Sequence, residues 1–192
     1  MNLWALKLLL STDALVEGVG KTTFEAKCKE LVAANSTFWY NKEQRMAVDV
    51  ISTVDFVKEV ATLCGWDGVK NGKNRKFLAD LKNLLTEWDD IPIKKIKKEL
   101  VNIQHLYECY DLDTSQVVVF IMCREPNEIA RLCRELGAKS LFISRDEHET
   151  DFSNTSDAEV ENYNYDIYFH NPEGIENLFK KIEIFIKEQN LI

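Results

Sequence analysis

The stretch "VVVFIMCREPNEIARL" (Val117–Leu132) decides how the rest of the chain is read. Its first six residues are continuously apolar, the pattern of a parallel strand covered on both faces. Pro126 then opens a helix that carries Ile129, Leu132, Cys133 and Leu136 on one side, and Gly137 closes it. Between strand and helix stand Arg124 and Glu125. An arginine directly after a buried strand needs a carboxylate partner or an anionic ligand.

Moving outward, the same alternation recurs. "VDVIS" (Val48–Ser52), "SLFIS" (Ser140–Ser144) and "YDIYF" (Tyr165–Phe169) are further short strands. Helical spacing connects Phe24, Cys28, Leu31 and Val32, then Val54, Val57, Ala61 and Cys64, with Gly65 as the stop. Phe77, Leu78, Leu81, Leu84, Leu85 and Trp88 form an amphipathic stripe after Asn74, and a lysine-rich helix follows Pro92 with Lys94, Lys95, Lys97 and Lys98 mostly on its wet side. Ile175, Leu178, Phe179, Ile182 and Phe185 mark the buried side of a last helix. Strands alternating with helices predict an α/β protein with a parallel sheet. No linker or repeat divides residues 1–192, which read as one domain.

The totals narrow the function. A net charge of -8 argues against binding a nucleic-acid polymer, while leaving room for a small anion in a local pocket of Lys and Arg. The five cysteines include no C-x-x-C pair, and the three histidines are scattered, so free thiols in a reducing cytoplasm are expected and a metal cluster is not. "LWALKLLL" (Leu3–Leu10) is too short to span a bilayer, and it lacks an obvious signal cleavage site. The expected partners are a nucleotide-sized substrate and, for the chain itself, a second copy in a homodimer.

In parallel α/β sheets, ligands bind beyond the carboxyl ends of the strands. The polar residues at those places are the Gly18–Thr22 loop, Asp55 and Lys58, Arg124 and Glu125, and Arg145 with Asp146. "LVEGVGKTT" (Leu15–Thr23) reads as a phosphate-binding turn running into a helix. Gly18, Val19, Gly20, Lys21, Thr22 and Thr23 are the candidate ATP-binding run. Gly18 and Gly20 admit close backbone approach, Lys21 reaches the terminal phosphates, and the Thr22 hydroxyl serves Mg²⁺. Leu15 departs from the G-x-x-x-x-G-K-S/T pattern, since it stands where the first glycine belongs.

Three segments, in order along the chain, carry a resemblance. "STVDFVKEVATLCGWDGVKNGKNRKFLADL" (Ser52–Leu81) resembles the second-strand region of the P-loop deoxynucleoside monophosphate kinases of phages and bacteria, with its Asp-x-x-Lys-Glu, Gly-Trp-Asp-Gly and Arg-Lys pair. "VVVFIMCREPNEIARL" resembles that family's strand ending in an arginine followed by Pro-Asn-Glu. "NTSDAEVENYNYDIYFHNPEGIENL" (Asn154–Leu178) resembles its closing segment. The resemblance implies a three-layer P-loop NTPase fold, with a five-stranded parallel sheet of order 2-3-1-4-5 flanked by helices. It further implies transfer of the ATP γ-phosphoryl group to a nucleoside monophosphate, with ATP and Mg²⁺ as cofactors.

On this resemblance, Lys21, Arg124 and Arg75 are the catalytic candidates, and Asp55, Lys58, Arg75 and Arg124 bind the acceptor. Thr22 serves the metal, and Arg145 sits on the ATP or lid side. The chemistry agrees with that set, because phosphoryl transfer needs two anions held in line with their charge neutralised. Two other readings stay open at this point. Leu15, together with Met122 where an acid commonly ends the strand, also suits a non-catalytic nucleotide-binding or sensing protein. A phosphotransferase acting on a different small acceptor is the third.

Overall fold

The computed structural model describes residues 7–13, 21–35, 47–69, 71–110, 117–145, 160, 162–172 and 174–189. Five strands, β1 (Lys7–Asp13), β2 (Ala47–Ser52), β3 (Val117–Met122), β4 (Lys139–Arg145) and β5 (Ile167–Asn171), form one sheet in the order β2-β3-β1-β4-β5. Every neighbouring pair is parallel; Ser11 lies beside Met122, and Asp13 beside Ile143. The helices are α1 (Lys21–Asn35), α2 (Asp55–Leu63), α3 (Gly72–Asp89), α4 (Ile91–Cys109), α5 (Pro126–Leu136) and α6 (Ile175–Glu188).

β3 explains why the sheet is covered on both sides. Successive strand residues point to opposite faces. Val117, Val119 and Ile121 pack with Ile93, Ile96 and Leu100 of α4 and Ile129 and Leu132 of α5. Val118 and Phe120 face the other way, onto Phe24 and Cys28 of α1 and Ile182 and Phe185 of α6. All five of these strand residues are fully buried, which is why the run reads as unbroken hydrophobicity. On the α1/α6 side the rings of Phe120, Phe169 and Phe185 surround Phe24 at centroid separations of 6.0, 4.6 and 5.2 Å, edge-on.

The expected fold class needs correction. The described residues do not establish a P-loop NTPase fold, because the turn from β1 to α1 whose backbone shape defines that fold falls at residues 14–20, outside the described residues. Helix also outweighs strand: α3 and α4 span 18 and 19 residues, whereas β1, one of the two longest strands, has 7. What stands is a largely helical α/β protein with a parallel sheet at its centre.

Smaller expectations shift too. α3 begins at Gly72, with the Asn71 side chain accepting from the Asn74 amide at 2.8 Å. Its apolar stripe is not buried. Phe77, Leu84 and Trp88 are exposed, and the one buried residue of the helix is Lys82. The reason is location, since α3 packs on α2 and α4 rather than on the sheet. Ile175, placed by spacing on the buried side of α6, is exposed in the first turn. The lysine run keeps its expected wet face, with Lys94, Lys95 and Lys98 exposed; Lys95 lies over the Phe56 ring at 3.9 Å, and the half-buried Lys97 pairs with Glu135 at 2.7 Å.

The α3–α4 turn consists of Asp90 alone, with φ 52° and ψ 35°. A residue with a Cβ pays about 1–2 kcal/mol in this left-handed region. Arg131 of α5 holds it there through a two-pronged pair, Nη1 to Oδ1 at 2.8 Å and Nη2 to Oδ2 at 2.6 Å. Asp90→Ala should lose the fork and keep the strain, whereas Asp90→Gly loses the fork and relieves the strain. Thermal unfolding should therefore fall by about 5–10 °C for alanine and roughly half that for glycine. Equal losses would show that the backbone conformation contributes nothing.

Arg131 also donates to Glu135, at 2.8 Å. The hydrogen bond from Lys97, and then that from Arg131, hold the Glu135 carboxyl down at about 2. Its folded value is depressed, so its contribution to stability is complete above the unfolded value and is lost as pH falls toward 2. Glu135→Gln should thus flatten the loss of stability between about pH 4.5 and pH 2. Urea midpoints at several pH values, at low salt because the group is near the surface, measure this. Parallel curves for the two proteins would rule it out.

Candidate functional site

The carboxyl ends of β2 and β3 are tied together at the rim of the sheet. The Thr53 amide donates to the Met122 carbonyl at 3.1 Å, and the Ser52 and Thr53 hydroxyls reach the same oxygen at 3.5 and 3.4 Å. Ser52 and Thr53 are buried although polar, which these bonds allow. Two adjacent strands thereby deliver their following residues to one place: Asp55 and Lys58 from β2, Arg124 and Glu125 from β3.

Asp55 has a local task there. Its Oδ2 accepts from the Ser52 amide at 2.8 Å, which closes the turn into α2, and its Oδ1 lies 3.5 Å from Lys58 Nζ. Both side chains are about half exposed. Arg124 is exposed on the β3 end, and Arg75 is exposed in the first turn of α3; both make interactions within the protein. No single ligand contact among Asp55, Lys58, Arg75 and Arg124 is fixed by the geometry. What it fixes is that Asp55 and Arg124 leave neighbouring strand ends.

α1 starts at Lys21, and Thr22 and Thr23 are exposed in its first turn. β1, the strand that precedes it, lies between β3 and β4 and ends at Asp13. Leu15, Gly18, Val19 and Gly20 lie outside the described residues, as does Asp146, and the Lys21 and Arg145 side chains are likewise not described. The backbone of Arg145 is the last residue of β4, beside Asn171 at the end of β5.

The residue that the sequence reading missed is Lys82. It is 6% exposed, and its ammonium lies 2.5 Å from Glu125 Oε1 and 2.7 Å from Glu128 Oε2. Burial on its own lowers its pKa, but Glu128 and Glu125 together outweigh that and raise it, so the lysine is held charged. Cys123, buried beside the cluster, has its Sγ 3.4 Å from Glu128 Oε2. Burial first, then Glu128, push that thiol up, so it is not a nucleophile at neutral pH.

The signal for Lys82 was present but quiet. A lysine seven residues after Arg75 lies on the same helix face, and that face is the one α3 turns inward. Spacing of apolar residues alone cannot show that the inward face is the charged one.

This cluster also bears on the metal. Met122 stands where an acid commonly ends the strand, and Glu125 is the next carboxylate along. Glu125 is committed to Lys82, and Thr22 is exposed in the first turn of α1. Among the described residues, no group of three or more His, Cys, Asp or Glu is placed to hold a metal ion. A separate cleft of about 460 Å³ follows the β5 edge, between Tyr168, Pro172, Lys180 and Ile184. It is not the place where the predicted residues gather.

Fold and rim together define a parallel α/β protein with a polar, cation-bearing edge at its strand ends. Compared with known proteins, the chain matches no family model and no curated protein. Among the described residues, no helix is long and apolar enough to cross a membrane.

Proposed function

We propose that the protein is an ATP-dependent, Mg²⁺-requiring kinase that phosphorylates a (deoxy)nucleoside monophosphate in the cytoplasm. The observation that carries this reading is the tie between β2 and β3 at Met122, which sets Asp55 and Arg124 on adjacent strand ends. An acceptor needs a hydrogen-bond acceptor for its sugar or base and a cation for its phosphate, and these two residues supply both. Arg75, at the head of α3, adds a second cation for the acceptor phosphate. Lys21 and the amides of the Gly18–Thr23 run serve the ATP phosphates, with Arg145 assisting at the end of β4. Thr22 would hold Mg²⁺, which would supply positive charge beside the ATP phosphates. The side chains orient and neutralise, and no covalent intermediate is required.

The commitment of Glu125 to Lys82, with a buried thiol at Cys123, favours one second reading: a protein that binds nucleotides and does not turn them over. ADP release with Mg²⁺-ATP and a panel of ribo- and deoxynucleoside monophosphates separates the two. Turnover with at least one acceptor supports the kinase, and saturable binding without turnover across the panel supports the second reading. Transfer to a non-nucleotide acceptor alone would replace both.

A further inference from the structure

Helix α3 leaves an apolar stripe in solvent that neither the fold nor the proposed site uses. Phe77, Leu84 and Trp88 are 37%, 63% and 75% exposed, and the half-buried Leu81 lies between them. At positions i, i+4, i+7 and i+11, the four side chains share one helix face, away from the face that carries Arg75 and Lys82. A contiguous exposed stripe with a tryptophan in it is the kind of surface that proteins cover.

The charges beside the stripe say what covers it. Lys73, Asp80 and Glu87 are seven residues apart and run along one flank, basic at the head of the helix and acidic toward its end. A second α3 laid antiparallel across the first brings Lys73 opposite Glu87 of the partner subunit, and by symmetry the contact occurs twice. A parallel arrangement would set lysine against lysine and glutamate against glutamate. Asp80, at the centre, would face its own copy, and Lys76 already pairs with it at 2.8 Å. Among the described residues, neither Lys73 nor Glu87 makes an ion pair within the chain.

We propose that this face joins two copies of the chain as an antiparallel α3–α3 dimer. The inference is independent of the kinase reading. The three exposed side chains offer on the order of 300–400 Å² per copy, under half of the ~800 Å² per partner of a standard stable interface. The dimer is therefore weak and concentration-dependent, and the flanking ion pairs set its register.

Sedimentation velocity of the full chain from about 1 to 300 μM should show monomer passing to dimer. Leu84→Ser and Trp88→Ser should each leave monomer across that range, with circular dichroism matching the wild-type chain because both side chains point outward. Lys73→Glu and Glu87→Lys should each raise Kd at least about tenfold, and the two together should return it to within about threefold of wild type. A wild-type chain that stays monomeric overturns the proposal. So does a dimer indifferent to Trp88→Ser, or a charge swap that fails to restore association.

Discussion

Lys82→Met is expected to destabilise the protein by about 3–5 kcal/mol. Methionine keeps an unbranched side chain of similar length, so packing changes little and the loss isolates the charge. Without the ammonium, Glu128 is left buried with neither oxygen paired by a cation; its Oε1 already has no hydrogen-bond partner among the described residues. For a chain of this size, the loss lowers the unfolding temperature by roughly 6–20 °C.

The dependence on pH has a defined sign. In the wild-type chain the folded pKa of Lys82 is raised, so its contribution is complete below the unfolded value and fades only as pH climbs through the folded one. In Lys82→Met the Glu128 carboxylate is left buried without its cation. Adding Glu128→Gln should restore more than half of the lost stability at neutral pH. Urea denaturation of the three proteins measures all of this, and a Lys82→Met cost below about 1 kcal/mol would show that the cluster is not a structural latch.

The second large effect falls on turnover and rests on the proposed function. Lys21→Ala is expected to lower kcat/KM by about 10²–10³-fold while leaving the folded state intact, because the lysine meets charge that grows on the terminal phosphates during transfer. Arg124→Ala should be similarly damaging with a different signature, a raised KM for the acceptor and little change in KM for ATP. Steady-state kinetics with each substrate varied in turn separates the two residues. Turnover of Lys21→Ala within about threefold of wild type would remove the Gly18–Thr23 run from the mechanism, even if the kinase assignment survived. Wild-type protein inactive on every monophosphate would end the assignment before any variant is compared.

Much of the architecture was legible in the chain. β3 could be read from "VVVFIM" because a strand buried on both faces allows no polar residue, and Pro126 and Gly137 bound α5 in the sequence and in the structure alike. "VDVIS" and "SLFIS" fall inside β2 and β4, while "YDIYF" begins two residues ahead of β5. Asp55, Lys58 and Arg124 were singled out because they follow strands, and the ends of parallel strands share one rim. In the structure Asp55 and Lys58 form a surface pair.

The sequence by itself determined four of the five described strands, all but the central β1, and the stretches that form helices, since hydrophobic period and punctuation by Pro and Gly act over a few neighbouring residues. Only the tertiary structure decided which faces those elements bury. α3 carries a helical stripe as clear as any in the chain, yet it turns Trp88 and Leu84 to water and Lys82 inward, because its neighbours are α2, α4 and the carboxylates heading α5. Periodicity records that a helix has two unlike faces. Which face meets the protein depends on partners 43 and 46 residues away, and the free energy of burying a charge is set by those partners.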